Sequence, residues 1–150
     1  MNDSIESRDM KIHHIGISVP DLEETIKWYT DKLGFLLIKR TMIPGLPVKV
    51  AHMQGPGFFL EIFEYEGAAF LPEERKYPDT DIKTHGTKHF SISVKDARSF
   101  VSELEAQGVE VVMIAEVDGT YGAYIQDNTG NLIEIFDNEQ GKEYFLLSEE

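Results

Sequence analysis

The sequence predicts an α+β fold made of two βαβββ modules with their helices on the outside. Two repeats and one alternation carry that prediction. His14-Ile-Gly-Ile-Ser-Val-Pro-Asp21 returns as His89-Phe-Ser-Ile-Ser-Val-Lys-Asp96, and Leu60-Glu-Ile-Phe-Glu64 returns as Ile133-Glu-Ile-Phe-Asp137. The copies lie 75 residues apart at the His and 73 apart at the Glu, which confines length differences to loops. Within both copies, apolar residues alternate with polar ones at the period of a half-buried strand.

The elements follow in order. From Lys11 to Val19, His14, Gly16 and Ser18 share one face and Ile15, Ile17 and Val19 the other, a strand stopped by Pro20. Asp21 with Glu24 three residues on has the form of a helix start. Leu22, Ile26, Tyr29 and Leu33 follow at helical spacing, and Gly34 ends the helix. Strands are expected at Phe35 to Thr41, Val48 to Gln54 and Phe58 to Tyr65. Turns at Pro44-Gly45-Leu46-Pro47 and Gly55-Pro56-Gly57 separate them. The second copy repeats the plan. It has a strand from His89 to Val94 and a helix capped by Asp96, with Ala97, Phe100, Val101 and Leu104 as its stripe and Gly108 as its stop. Strands then run from Val109 to Ile114, Gly122 to Asp127 and Asn131 to Phe136. Asp127-Asn128-Thr129-Gly130 makes the last hairpin turn.

These limits give one domain over 11–137: module one at 11–66, a linker or lid at 67–86, and module two at 87–137. An acidic tail at 138–150 carries the apolar run Tyr144 to Leu147, suited to docking on the body or on a second copy. The 150 residues are enough for one domain with a real core. A net charge of −13, with no dense Lys/Arg run, excludes a nucleic-acid footprint. The absence of cysteine excludes disulfides and thiolate metal sites. No stretch has the apolar length of a membrane span, and Met1 to Lys11 are polar, so a cytoplasmic protein is expected.

The alternation also places chemistry. His14, Glu61, His89 and Glu134 all fall on strand faces turned away from the helices, with Phe63 and Tyr65 beside Glu61. A carboxylate buried alone is costly, and a divalent cation offsets that cost. Two imidazoles with two carboxylates form a nitrogen–oxygen donor set suited to Zn²⁺, Ni²⁺, Co²⁺, Mn²⁺ or Fe²⁺. The expectation is one metal site fed by both copies. His52, on the strand before Glu61, faces either the same cavity or the surface. His13 is expected to face the other way, His85 to be exposed in the linker, and Glu64 and Asp137 to be surface groups.

The segments His14 to Glu23, Trp28 to Phe35 and Asp127 to Glu134 resemble the vicinal oxygen chelate superfamily, over about Lys11 to Asp137. That resemblance implies paired modules forming a cupped eight-stranded mixed sheet around one metal. The ligand order His14, Glu61, His89, Glu134 is similar to that of bacterial glyoxalase I; epimerases of the family are close. It implies a metal-dependent lyase or isomerase using Ni, Zn, Co or Mn on a small-molecule substrate with vicinal oxygens. An enediolate is stabilised and Glu134 or Glu61 shuttles the proton. It also implies a homodimer. Family glyoxalases carry an Asn for glutathione just after the second ligand. Here Glu61-Ile-Phe-Glu-Tyr-Glu66 is acidic and aromatic. Phe63 and Tyr65 as substrate-binding residues favour an apolar or aromatic substrate, as does an alternative, an Fe²⁺ ring-cleaving dioxygenase with Tyr124 as acid or hydrogen-bond donor. A binding protein of the resistance type, which needs no metal, is the third reading.

Overall fold

A computed structural model describes residues 9–117 and 119–138. Module one contains β1 (His14–Ser18), α1 (Leu22–Leu33), β2 (Leu36–Met42), β3 (Val48–Gln54) and β4 (Phe59–Tyr65). A 3-10 turn at Glu73–Arg75 and the short α2 (Pro78–Asp81) occupy the connection. Module two contains β5 (Phe90–Val94), α3 (Ala97–Ala106), β6 (Val111–Val117), β7 (Thr120–Gln126) and β8 (Leu132–Asp137). The eight strands form two four-stranded mixed sheets, ordered β1-β4-β3-β2 and β5-β8-β7-β6. In each, the first strand runs parallel to the fourth and the remaining pairs are antiparallel. The apolar tail segment Tyr144 to Leu147 lies outside the described residues. Among the described residues no helix is long and apolar enough to cross a membrane.

Local chemistry explains the elements. The Asp21 carboxylate accepts the Glu24 N–H at 2.9 Å, and Asp96 accepts that of Ser99 at 3.0 Å, so both helices start where a capping side chain stands. Gly34 ends α1 at φ +72°, a left-handed conformation that costs residues with a Cβ. Helix faces and inner strand faces meet in one core. Leu22, Ile26 and Tyr29 of α1 and Val101 and Leu104 of α3 are buried there with Met53, Leu60, Ile62, Ile125, Ile133 and Ile135. Gly55 turns tightly against Phe35: a Cβ there would lie 2.8 Å from a ring carbon.

Two residues expected to be surface groups hold the helices instead. Glu64 accepts the N–H of Leu22, the first residue of α1, at 2.8 Å and pairs with Lys49 at 2.9 Å. Asp137 accepts the N–H of Ala97, the first residue of α3, at 3.3 Å. A negative charge at a helix start meets unpaired N–H groups and the positive end of the helix dipole. The Leu22 N–H, then Lys49, hold the Glu64 carboxyl below its ordinary value. The sign follows: Glu64 stabilises the fold above the unfolded carboxylate pKa of 4.5, and that contribution is lost as pH falls through the lowered folded value. We expect Glu64→Gln to flatten the acid limb of a stability–pH curve, measured by denaturant titration between about pH 3 and 6. A mutant curve parallel to wild type would contradict this.

The connection at 67–86 is folded rather than a plain tether. Asp81 is buried and receives Arg75 at 2.8 Å and Lys88 at 3.2 Å. Lys88 also donates to the Asp81 carbonyl at 2.6 Å, which fixes the chain one residue before His89.

Module two is tied to module one through α1. Tyr29 donates its hydroxyl to Asp127 at 2.9 Å, Asn128 donates to the Thr25 hydroxyl at 3.0 Å, and Lys32 reaches the Gln107 carbonyl at 2.8 Å. Phe58 and Phe90 meet edge-on at 5.7 Å between ring centres.

Candidate metal centre

Strand register builds the centre. In module one, Gly16 of β1 and His52 of β3 flank Glu61 of β4. In module two, Ser91 of β5 and Tyr124 of β7 flank Glu134 of β8. Because side chains alternate, Glu61 and Glu134 face away from the buried Leu60, Ile62, Ile133 and Ile135, as the sequence predicts. Small residues clear the space around them. A Cβ on Gly16 would sit 3.4 Å from the Phe63 ring, and one on Gly122 would sit 3.3 Å from Glu134 Oε1 and 3.4 Å from Phe136.

Each His finds its own Glu. His89 Nε2 lies 3.1 Å from Glu134 Oε2, and His14 Nε2 lies 3.8 Å from Glu61 Oε1. Ligand bonds of about 2.0–2.2 Å put neighbouring donors roughly 3–3.5 Å apart, so the His89–Glu134 pair is already at ligand spacing and the His14–Glu61 pair is near it. The donor set fits a divalent cation. All four side chains are partly exposed, between 18% and 47%, so water and solutes reach them.

His52 stands beside Glu61: its Nε2 is 2.6 Å from Glu61 Oε2, and its Nδ1 is buried without a hydrogen-bond partner. His13, expected to face the helix or a neighbour, meets two neighbours: its Nδ1 is 2.8 Å from His14 Nδ1 and its ring centre is 5.2 Å from that of Phe59. The first contact orients the His14 ring so that Nε2 remains toward Glu61. The Tyr124 ring stands edge-on to His89 at 4.9 Å. Tyr65 is exposed and borders, with Met42, Phe70 and Lys76, an open cavity of about 700 Å³ at the end of β4.

The four expected ligands are present as two pairs rather than one cluster. Among the described residues, no three His, Asp or Glu side chains gather as a metal-binding group. The pairs belong to separate sheets, and the hydrogen bonds from the α1 unit to module two leave from the helix side of the first sheet, opposite Glu61.

Comparison with known proteins agrees with this architecture. A lactoylglutathione lyase of Haemophilus influenzae is 30% identical over 138 residues, covering 89% of this chain and 96% of that protein. Two solved structures share the fold. One is a glyoxalase family protein from Enterococcus faecalis, with a TM-score of 0.72 and 23% identity over 87% of this chain and 99% of that one. The other is a trypanothione-dependent glyoxalase I from Leishmania major, with a TM-score of 0.71 and 21% identity over 91% and 92%. The family profile for the glyoxalase/bleomycin resistance protein/dioxygenase superfamily matches residues 11–135. With twin βαβββ modules, a His–Glu pair on the open face of each, and that match over most of its length, the chain belongs to the glyoxalase/bleomycin resistance protein/dioxygenase superfamily.

Proposed function

We propose that the protein is a divalent-metal-dependent lyase or isomerase of the glyoxalase type. The observation that carries the reading is the repeated pair, His14 with Glu61 and His89 with Glu134, on the open face of each sheet. The similarity to a lactoylglutathione lyase supports it. His14, Glu61, His89 and Glu134 would hold the metal. Bound there, a divalent cation supplies Lewis acidity toward a substrate carbonyl oxygen. The protein's part is a proton transfer between adjacent carbons. Glu134 takes the proton from the hydroxyl-bearing carbon and returns it to the neighbouring carbonyl carbon, while the hydroxyl proton passes to the former carbonyl oxygen, so a hydroxycarbonyl compound leaves as its isomer with no net change in atoms. Glu61 stays as a ligand. Phe63 and Phe136 provide apolar cover over the glycines beside the carboxylates.

The site is completed by a second copy. One chain presents two donors on each of two sheets, so a homodimer pairing module one of one protomer with module two of its partner supplies all four. Exposed Leu36, Ile38 and Met42 on β2 and Ile114 and Val117 on β6 leave apolar surface for such a contact.

The test is metal titration with an isomerisation assay on the hemithioacetal of methylglyoxal. That substrate is formed once with glutathione and once with a simple thiol. The expected result is one Ni²⁺, Co²⁺ or Zn²⁺ per protomer, with turnover abolished by chelation and restored by metal. Turnover of the simple-thiol adduct at least equal to the glutathione adduct would agree with the acidic stretch Glu61 to Glu66. Absence of metal uptake would sink the proposal. Tyr124 against His89 favours one second reading, a ring-cleaving dioxygenase. Bound iron with oxygen uptake on catechols would establish that instead.

A further inference from the structure

Glu61 and Glu134 occupy matching places in the two modules, but their neighbours across the ladder differ. The residue directly across the ladder from Glu61 is His52, and the one across from Glu134 is Tyr124. One half of the centre therefore carries an imidazole that its twin lacks.

The geometry points to His52 as a positioning residue that fixes Glu61 as a one-oxygen ligand; this rests on the metal centre proposed above. Glu61 divides its two oxygens. Oε2 is 2.6 Å from His52 Nε2, while Oε1 faces His14 Nε2 at 3.8 Å. An N–H at Nε2 donates to Oε2 and occupies it, so Oε1 alone is left toward the metal. A carboxylate free to rotate about its last bond alternates between one-oxygen and two-oxygen contact, and a short hydrogen bond to one oxygen removes that freedom. His52 is itself held by β3, the central strand between β2 and β4, so its ring has a rigid base. Glu134 has a different neighbourhood. Its Oε2 lies 3.1 Å from His89 Nε2, and its Oε1 lies within 3.3 Å of where a Cβ on Gly122 would stand. The centre thus has one carboxylate held by an imidazole besides its paired His14, and one whose ladder neighbour is Tyr124. Departures of the chain from its own repeat, His52 against Tyr124 and Val50 against Gly122, make them different.

The experiment loads wild type, His52→Ala, His52→Leu and His52→Gln with Co²⁺. Affinity is read by calorimetry, ligand field by visible absorption, and bound imidazole count by X-ray absorption. Loss of a hydrogen bond behind a ligand typically weakens metal binding roughly 10–100-fold. We expect that loss with a shifted visible spectrum in the Ala chain. The Leu chain, which fills the space without a donor, gives the same result and decides the matter if the Ala chain does not fold. The Gln chain, whose amide N–H reaches Oε2, recovers most of the affinity and the wild-type spectrum. The imidazole count stays at the wild-type value in all three. A lower count in any variant makes His52 a ligand and overturns the positioning role; so does unchanged affinity and spectrum in the Ala and Leu chains. Wild type that takes up no Co²⁺ overturns the proposed function along with this inference. Uptake by wild type with either overturning result removes only the role of His52.

Discussion

We expect chains carrying Glu61→Gln and chains carrying Glu134→Gln, each nearly inactive alone, to regain activity when unfolded together and refolded as a mixture. On the proposed mechanism the single variants fail for different reasons. Gln at 134 can still offer a carbonyl oxygen but cannot accept a proton, so kcat falls by about 10²–10⁴-fold. Gln at 61 removes a negative ligand, and metal affinity falls first. In a mixed dimer with sites shared between protomers, one site receives both substitutions and the other receives neither. One of the two sites is then wild type, and activity per mixed dimer approaches half the normal value. Sites contained within single chains give a different result, since every site in the mixture keeps one lesion and the mixture is as inactive as its parts. The measurement is turnover against mixing ratio, with native mass spectrometry counting mixed dimers. No recovery despite mixed dimers would place the site within one chain.

Asp127→Ala is the substitution expected to cost most in stability. Asp127 is buried at the turn between β7 and β8 and gathers five donors. Oδ1 accepts the N–H groups of Thr129, Gly130 and Asn131 at 2.9, 3.0 and 2.9 Å. Oδ2 accepts the Tyr29 hydroxyl at 2.9 Å and the Asn131 amide at 3.0 Å. Tyr29 is fully buried, so its hydroxyl has no water to turn to. Stranding these groups costs about 3–5 kcal/mol, a fall in Tm of roughly 10 °C for a chain this size. Asp127→Asn keeps an acceptor for the three backbone donors and loses less. Tyr29→Phe removes one bond and costs about 1–2 kcal/mol. Thermal unfolding by circular dichroism checks the order Ala, then Asn, with Tyr29→Phe mildest. An Ala variant melting with wild type would refute it. Burial pushes the Asp127 carboxyl up, and its donors pull it back only in part. Ionising Asp127 in the folded chain therefore costs part of this gain: that part is present below the unfolded value of 3.8 and is lost as pH rises through the folded value, the opposite sense to Glu64.

Much of this was legible in the sequence because it is set locally. Asp21 and Asp96 announce helix starts through their own side chains, and Gly34 announces a stop through its backbone. The period-2 alternation assigned His14, Glu61, His89 and Glu134 to one face of each sheet, and strand pairing put each His beside its Glu. Alternation gives a face but no distance between sheets, so a meeting of all four ligands at one point within a chain did not follow from it. The helix-start bonds of Glu64 and Asp137 were missed for a similar reason. Both are long-range, spanning 42 and 40 residues, although the repeated acid three places after each Glu was in plain view. The helical turns at Glu73–Arg75 and Pro78–Asp81 were too short for any periodicity to show.

Glu61 and Glu64 stand on opposite faces of one strand, and Glu134 and Asp137 repeat the arrangement on another. The outer member of each pair is fastened to the first turn of a helix. β4 and β8 therefore behave as posts nailed from behind. The backbone behind the inner carboxylates is held, so movement falls to side-chain torsions, which at Glu61 the bond to His52 restricts in turn. Reach at this centre is a matter of ångströms set by three rotatable bonds. A substrate that needs the walls to part is excluded by the carpentry before any contact chemistry is consulted.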